Sequence, residues 1–238
     1  MRTVGLHLAQ KPGTGASVLV EIEAGAVCAP RQAQSDAEIL AALPEAPALV
    51  VVDAPLAIPN EIGKRDVEAV LLWCDIPAFP VSRRRIQALF GGARGVELAR
   101  KMLERGYETA ETLPDHVTRQ LLWERARGGR APLDLGAYRE RWVQVRTPDE
   151  RAARELLGEA IDLTAWPPEG NGAELSAVAC AYAGWRHLTG LSSIDLGTPD
   201  RGRMLLPADT NLVERVAVNV ERMWNEGTVL IPVPPGGW

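Results

Sequence analysis

With 238 residues, 46% of them hydrophobic and 24% charged, the chain is long enough to bury a large core and too apolar to remain disordered. A formal charge of −5 excludes a whole-molecule attraction to nucleic acid, leaving only local basic patches for that purpose. No apolar run reaches the roughly 20 residues of a membrane span, and no basic segment with an apolar signal core opens the chain, so a cytoplasmic protein with no membrane partner is expected. Cys28, Cys74 and Cys180 match no redox or zinc spacing and read as buried free thiols.

In chain order, Thr3 to Leu8 and Ser17 to Ile22 flank a Lys-Pro-Gly-Thr-Gly turn, and a second turn at Glu23 to Gly25 leads to a short run ending at Cys28. Apolar alternation around such turns predicts a three-stranded antiparallel meander. Asp36 to Leu43 reads as a helix capped by Ser35. It feeds Leu49 to Pro59, LVVVDAPLAIP, whose valine-rich start predicts a strand buried on both faces.

Asp53 stands at the carboxyl end of that strand, where open α/β sheets bind ligands. The competing reading is a residue that caps its own turn. Gly63 to Trp73 reads as a short amphipathic helix, followed by a proline-rich crossing to Ser82 and the cluster Arg83, Arg84, Arg85. Arginine forks suit phosphate, although such a cluster can also be a solvated helix face. A second basic cluster, Arg125, Arg127 and Arg130, surrounds Gly128-Gly129. Gly95 to Gly106 reads as a helix stopped by glycine, and Tyr107 to Glu111 as a strand ending, like Asp53, in an acid before a proline.

Residues 115–160 read as polar helical segments with Trp123, Tyr138 and Trp142 as packing anchors. Ala173 to Leu188 is the strongest apolar helix, small-faced enough to pack close to a sheet, with Glu174 and Ser176 in its first turn. Asp200 to Pro207 gives a turn and short strand, and Asn211 to Trp224 a helix before a proline-rich tail. No internal repeat occurs. A single domain over residues 1–238 is expected.

The order of Val4-Gly5-Leu6, the Gly13-Thr14-Gly15 hairpin, VVDAPLAIP, Arg65-Asp66, Ser82 with its arginines, Arg94-Gly95, Glu111-Thr112-Leu113-Pro114, the alanine-rich helix and the Gly202 to Pro207 strand resembles the DUF429 proteins, a ribonuclease H-like family of predicted nucleases. The resemblance implies an α/β fold: a ribonuclease H-like mixed sheet, three antiparallel strands then parallel ones, flanked by helices, with acids gathered at one edge. It also implies a phosphodiester hydrolase whose carboxylates hold divalent metal, magnesium or manganese, because two bridged cations activate water and stabilise the leaving oxygen.

On that reading Asp53, Glu111 and Glu174 are the catalytic acids, Asp53, Glu174 and His7 the metal ligands, and Arg83 to Arg85 the contacts to substrate phosphate. The chain departs from the family where His7 and Ser176 replace expected aspartates. Imidazole favours zinc or manganese over magnesium, whereas the plainer reading of His7 is a strand histidine bonded to backbone or water. His116 and His187 read as structural. A Gly-x-Ser-x-Gly elbow, a His-Glu-x-x-His pair and a phosphate-binding loop are absent from the sequence. Three functions therefore compete: a metal-dependent nuclease acting on nucleic acid or another phosphoester, a degenerate binding or assembly module that kept the fold, and a nucleotide-binding protein of the actin-like manner, which would need a pocket against the Gly13 hairpin.

Overall fold

A computed structural model of the chain describes residues 1–11, 15–45, 48–127 and 148–230. Its sheet begins with β1 (Arg2–His7), β2 (Ser17–Glu23), β3 (Ala26–Val27) and β4 (Arg31–Ala33). After α1 (Asp36–Ala42) come β5 (Leu49–Val52), α2 (Asp66–Trp73), α3 (Arg83–Phe90), α4 (Arg94–Glu104), β6 (Glu108–Glu111) and α5 (Pro114–Arg127). The chain continues through α6 (Glu150–Ala160), α7 (Gly172–Leu188), β7 (Ser193–Leu196), β8 (Met204–Pro207) and α8 (Thr210–Asn225).

The strands lie in the order β3-β2-β1-β5-β6-β8-β7, with β4 also paired to β2. β1 pairs antiparallel with β2 and β2 with β3, while β1, β5, β6 and β8 run parallel. β7 returns antiparallel at the edge. The expected meander and mixed α/β sheet are thus present. β4 and β7 were not foreseen, because two short polar-interrupted strands leave no periodic run to read.

Helices cover both faces. On one, α7 lies across the middle of the sheet, flanked by α5 and α6, and buries Val18, Val20, Val51, Ala110 and Leu205. On the other, α1 and α4 bury Leu6, Leu19 and Val52, while α2 and α8 bury Ile194, Leu196 and Leu206. Alternate residues of β1, β2 and β5 go to opposite layers, as the pleat requires.

Several helix starts are fixed by side chains that the sequence places there. Ser35 accepts from the Glu38 amide, Ser82 from Arg85, Asn171 from Ala173 and Glu174, and Asp209 from Leu212. Gly106 takes a positive φ of 83° after α4, the left-handed stop that a glycine there allows. Cys74 and Cys180 are buried as expected, but Cys28, just past β3 at the sheet's edge, is exposed. The hairpin tip at 12–14, Arg130, Tyr138, Trp142 and the tail at 231–238 lie outside the described residues.

Candidate functional site

Parallel pairing sets Leu6 beside Val52 and Val52 beside Glu111. The next residues along β1 and β5, His7 and Asp53, are therefore neighbours at the carboxyl edge. His7 Nδ1 lies 2.6 Å from Asp53 Oδ2, and the Leu8 amide donates to Asp53 Oδ1 at 2.9 Å. Asp53 thus binds across strands rather than capping its own turn. Its side chain is 10% exposed, against 31% for His7, so the carboxylate is held inside and the imidazole faces outward. The hydrogen bond to Asp53 raises the His7 pKa above its ordinary value, with burial opposing the shift.

Glu111 has a different fate. The pleat starts it on the Val52 side of the sheet, opposite to the side Asp53 follows, and there it meets Arg65. Arg65 Nη1 and Nη2 each donate to one Glu111 oxygen at 2.7 Å, and the Leu56 amide adds a third bond at 2.8 Å. The remaining Arg65 donors go to Glu68 and the Ala57 carbonyl. Glu68 in turn accepts from the amides of Arg65 and Val81, which ties the start of α2 to the approach to α3. Arg65, Glu68 and Glu111 are all at least 97% buried. Burial disfavours the guanidinium charge, but the two carboxylates outweigh it and raise the Arg65 pKa. In effect Glu111 is a structural carboxylate whose charge is already matched.

Among the described residues, two cavities lined by Asp53 open at this edge. One, of about 330 Å³, is lined by Asp53, Phe79, Asp115, His116, Arg119 and Ser176 among others. The second, of about 350 Å³, runs from Asp53 and Gln10 past Phe79, Val81, Ile86 and Phe90, with the Arg65–Glu111 pair at its wall. Both volumes fall in the range of small-molecule sites. Asp53, Phe79 and Leu113 belong to both linings.

Glu174 is not brought to Asp53's cavities. Its oxygens accept from Trp166 Nε1 at 3.1 Å and Asn171 Nδ2 at 3.4 Å, while Ser176, two residues on, lines the first cavity. Residues two apart on a helix do not share a face, so the carboxylate cannot stand in for the serine. Arg83, Arg84 and Arg85 are exposed at the start of α3. The amides of Arg83 and Arg84 already donate to the carbonyls of Asn60 and Glu61, and that of Arg85 to Ser82, so this helix end offers side chains rather than free amides. In the second basic cluster Arg125 pairs with Glu159 at 3.2 Å.

Among the described residues no group of three His, Cys, Asp or Glu side chains is placed to hold a metal ion. Asp53 keeps lone pairs to offer, but Glu111 is matched by Arg65 and Glu174 is turned to Trp166, so the donor set does not fit a two-metal centre. Family models, curated proteins and solved structures give no match to this chain.

Sequence reasoning missed Arg65, Glu68 and Phe79. The i,i+3 spacing of Arg65 and Glu68 at a helix start was a readable signal of a pair. That the pair is buried was not readable, because charged residues at a helix start are ordinarily solvated.

Proposed function

We propose that this chain is a ribonuclease H-like binding protein, with a cleft at the carboxyl edge of β1, β5 and β6 that takes a phosphoester ligand without two-metal hydrolysis. The observation that carries this reading is the capture of both Glu111 oxygens by Arg65. Two bridged cations need carboxylates with free lone pairs and surplus negative charge, and a bidentate guanidinium removes both. The run of antiparallel β1, β2 and β3 beside parallel β5 and β6 supports the fold assignment.

A second reading, a magnesium- or manganese-dependent phosphodiester hydrolase, draws on Asp53 and Asp115 lining one cavity. It requires His7 to share Asp53 with a cation and Glu174 to leave Trp166. Calorimetry with manganese and magnesium chloride, on the wild type and on Asp53→Ala, separates the two. The binding reading expects no saturable heat at millimolar metal. Saturable heat that Asp53→Ala abolishes would reject it in favour of the hydrolase.

A further inference from the structure

Phe79 is a large apolar side chain left 49% exposed, and it sits on the walls of both cavities. The Arg85 guanidinium carbon lies over it, 3.8 Å from the ring centroid. A guanidinium held over a ring face keeps N–H donors to offer an anion, and no carboxylate among the described residues pairs with Arg85. One helix supplies both kinds of group. Ile86 and Phe90, four residues apart on α3, line the second cavity, and Arg85 is the residue before Ile86.

The second cavity thus carries the Asp53 carboxylate and the Gln10 amide together with the apolar and aromatic side chains of Phe79, Val81, Ile86 and Phe90, and the Arg85 cation lies over Phe79. Asp53 repels an anionic group, whereas Arg85 attracts one. A flat ring gains from Phe79 and Phe90.

Resting on the binding reading above, we propose that this cavity binds an aromatic phosphate monoester, with its ring against Phe79 and Phe90 and its phosphate on Arg85. A ring that also carries an N–H donor has a partner in Asp53. The phosphate steering expected of the arginine cluster is thereby narrowed to Arg85, since Arg83 Nε donates to the Ile58 carbonyl at 3.0 Å and Arg84 lines a separate cavity with Glu61, Arg83 and Gln87.

The test is calorimetric titration of the full chain with phenyl phosphate, 5′-AMP, adenosine, inorganic phosphate and a short 5′-phosphorylated single strand. The proposal expects saturable binding of both aromatic monophosphates, with 5′-AMP the tighter and inorganic phosphate at least tenfold weaker than phenyl phosphate. Phe79→Ala should weaken the aromatic ligands about tenfold, the factor that corresponds to losing one stacking contact. Arg85→Ala should weaken every phosphate-bearing ligand and leave adenosine unchanged. Leu89→Ala, an exposed change on the same helix, is the control for folding and should bind as the wild type does.

Equal binding by Phe79→Ala, or no binding of either aromatic monophosphate at millimolar concentration, overturns the proposal. Tight binding of the strand with none of 5′-AMP also overturns it, in favour of a polymer site. These outcomes are separate from the metal titration: saturable metal heat removes the binding reading even if 5′-AMP binds, and absent metal heat with no 5′-AMP binding removes this proposal alone.

Discussion

His7 and Asp53 meet because two parallel strands end in register, and their 2.6 Å contact fixes the protonation behaviour of the imidazole. The hydrogen bond raises the folded pKa of His7 above the roughly 6.5 of an unperturbed histidine. The stability contributed by this pair is then complete below about pH 6.5 and is lost as pH rises through the folded value, because the unfolded chain releases that proton first. Asp53→Asn is expected to lower the His7 midpoint in an NMR titration and to flatten that part of the stability profile; an unchanged midpoint would mean that Asp53 has no hold on the ring.

Arg65 makes a larger claim on stability. Its removal leaves Glu68 and Glu111 buried without a counter-charge, and Arg65→Ala is expected to cost about 3–5 kcal/mol in denaturant unfolding. A loss under about 1 kcal/mol would show the network to be no stronger than a surface pair.

At the scale of elements, the approach of α7 to β1 and β5 decides how the cleft is built. A Cβ added to Gly5 would lie 1.9 Å from the Ala177 carbonyl oxygen, and one added to Gly184 would lie 2.3 Å from Thr3 Oγ1. Backbone and a buried threonine cannot give way cheaply, so the small residues of α7 are a packing requirement and not a matter of helix propensity alone. Gly5→Ala should destabilise at or above the roughly 3 kcal/mol top of the usual overpacking range, and Gly184→Ala within about 1–3 kcal/mol. Gly92→Ala, where an added Cβ meets nothing within 4 Å, should change the unfolding midpoint little. If all three behave alike, close packing of α7 is not what those glycines serve. The same approach brings Ser176 to the first of Asp53's two cavities.

Over the whole molecule, helices on both faces leave the carboxyl edge of the parallel strands as the place where loops gather and cavities open, as open α/β sheets generally arrange it. Among the described residues no helix is long and apolar enough to cross a membrane. A ligand that binds only the folded chain raises its melting temperature by mass action. Millimolar 5′-AMP is therefore expected to raise the melting temperature and millimolar manganese to leave it unchanged, which a thermal scan reads directly. The sequence alone determined the α/β class, the opening meander, the buried β5 and most helix starts, because alternation, valine runs, helical apolar spacing and the Ser35 cap act over a few residues. It also placed Asp53 at a strand's end, where a ligand site belongs. What it could not decide was which acids meet. Asp53 and Glu111 look equivalent in the chain, each an acid closing a strand before a proline, yet one pairs with His7 and lines both cavities while the other is matched by Arg65. That difference depends on strand register, on the side from which each residue leaves the pleat and on a guanidinium 46 positions away in sequence from Glu111, none of which local pattern encodes.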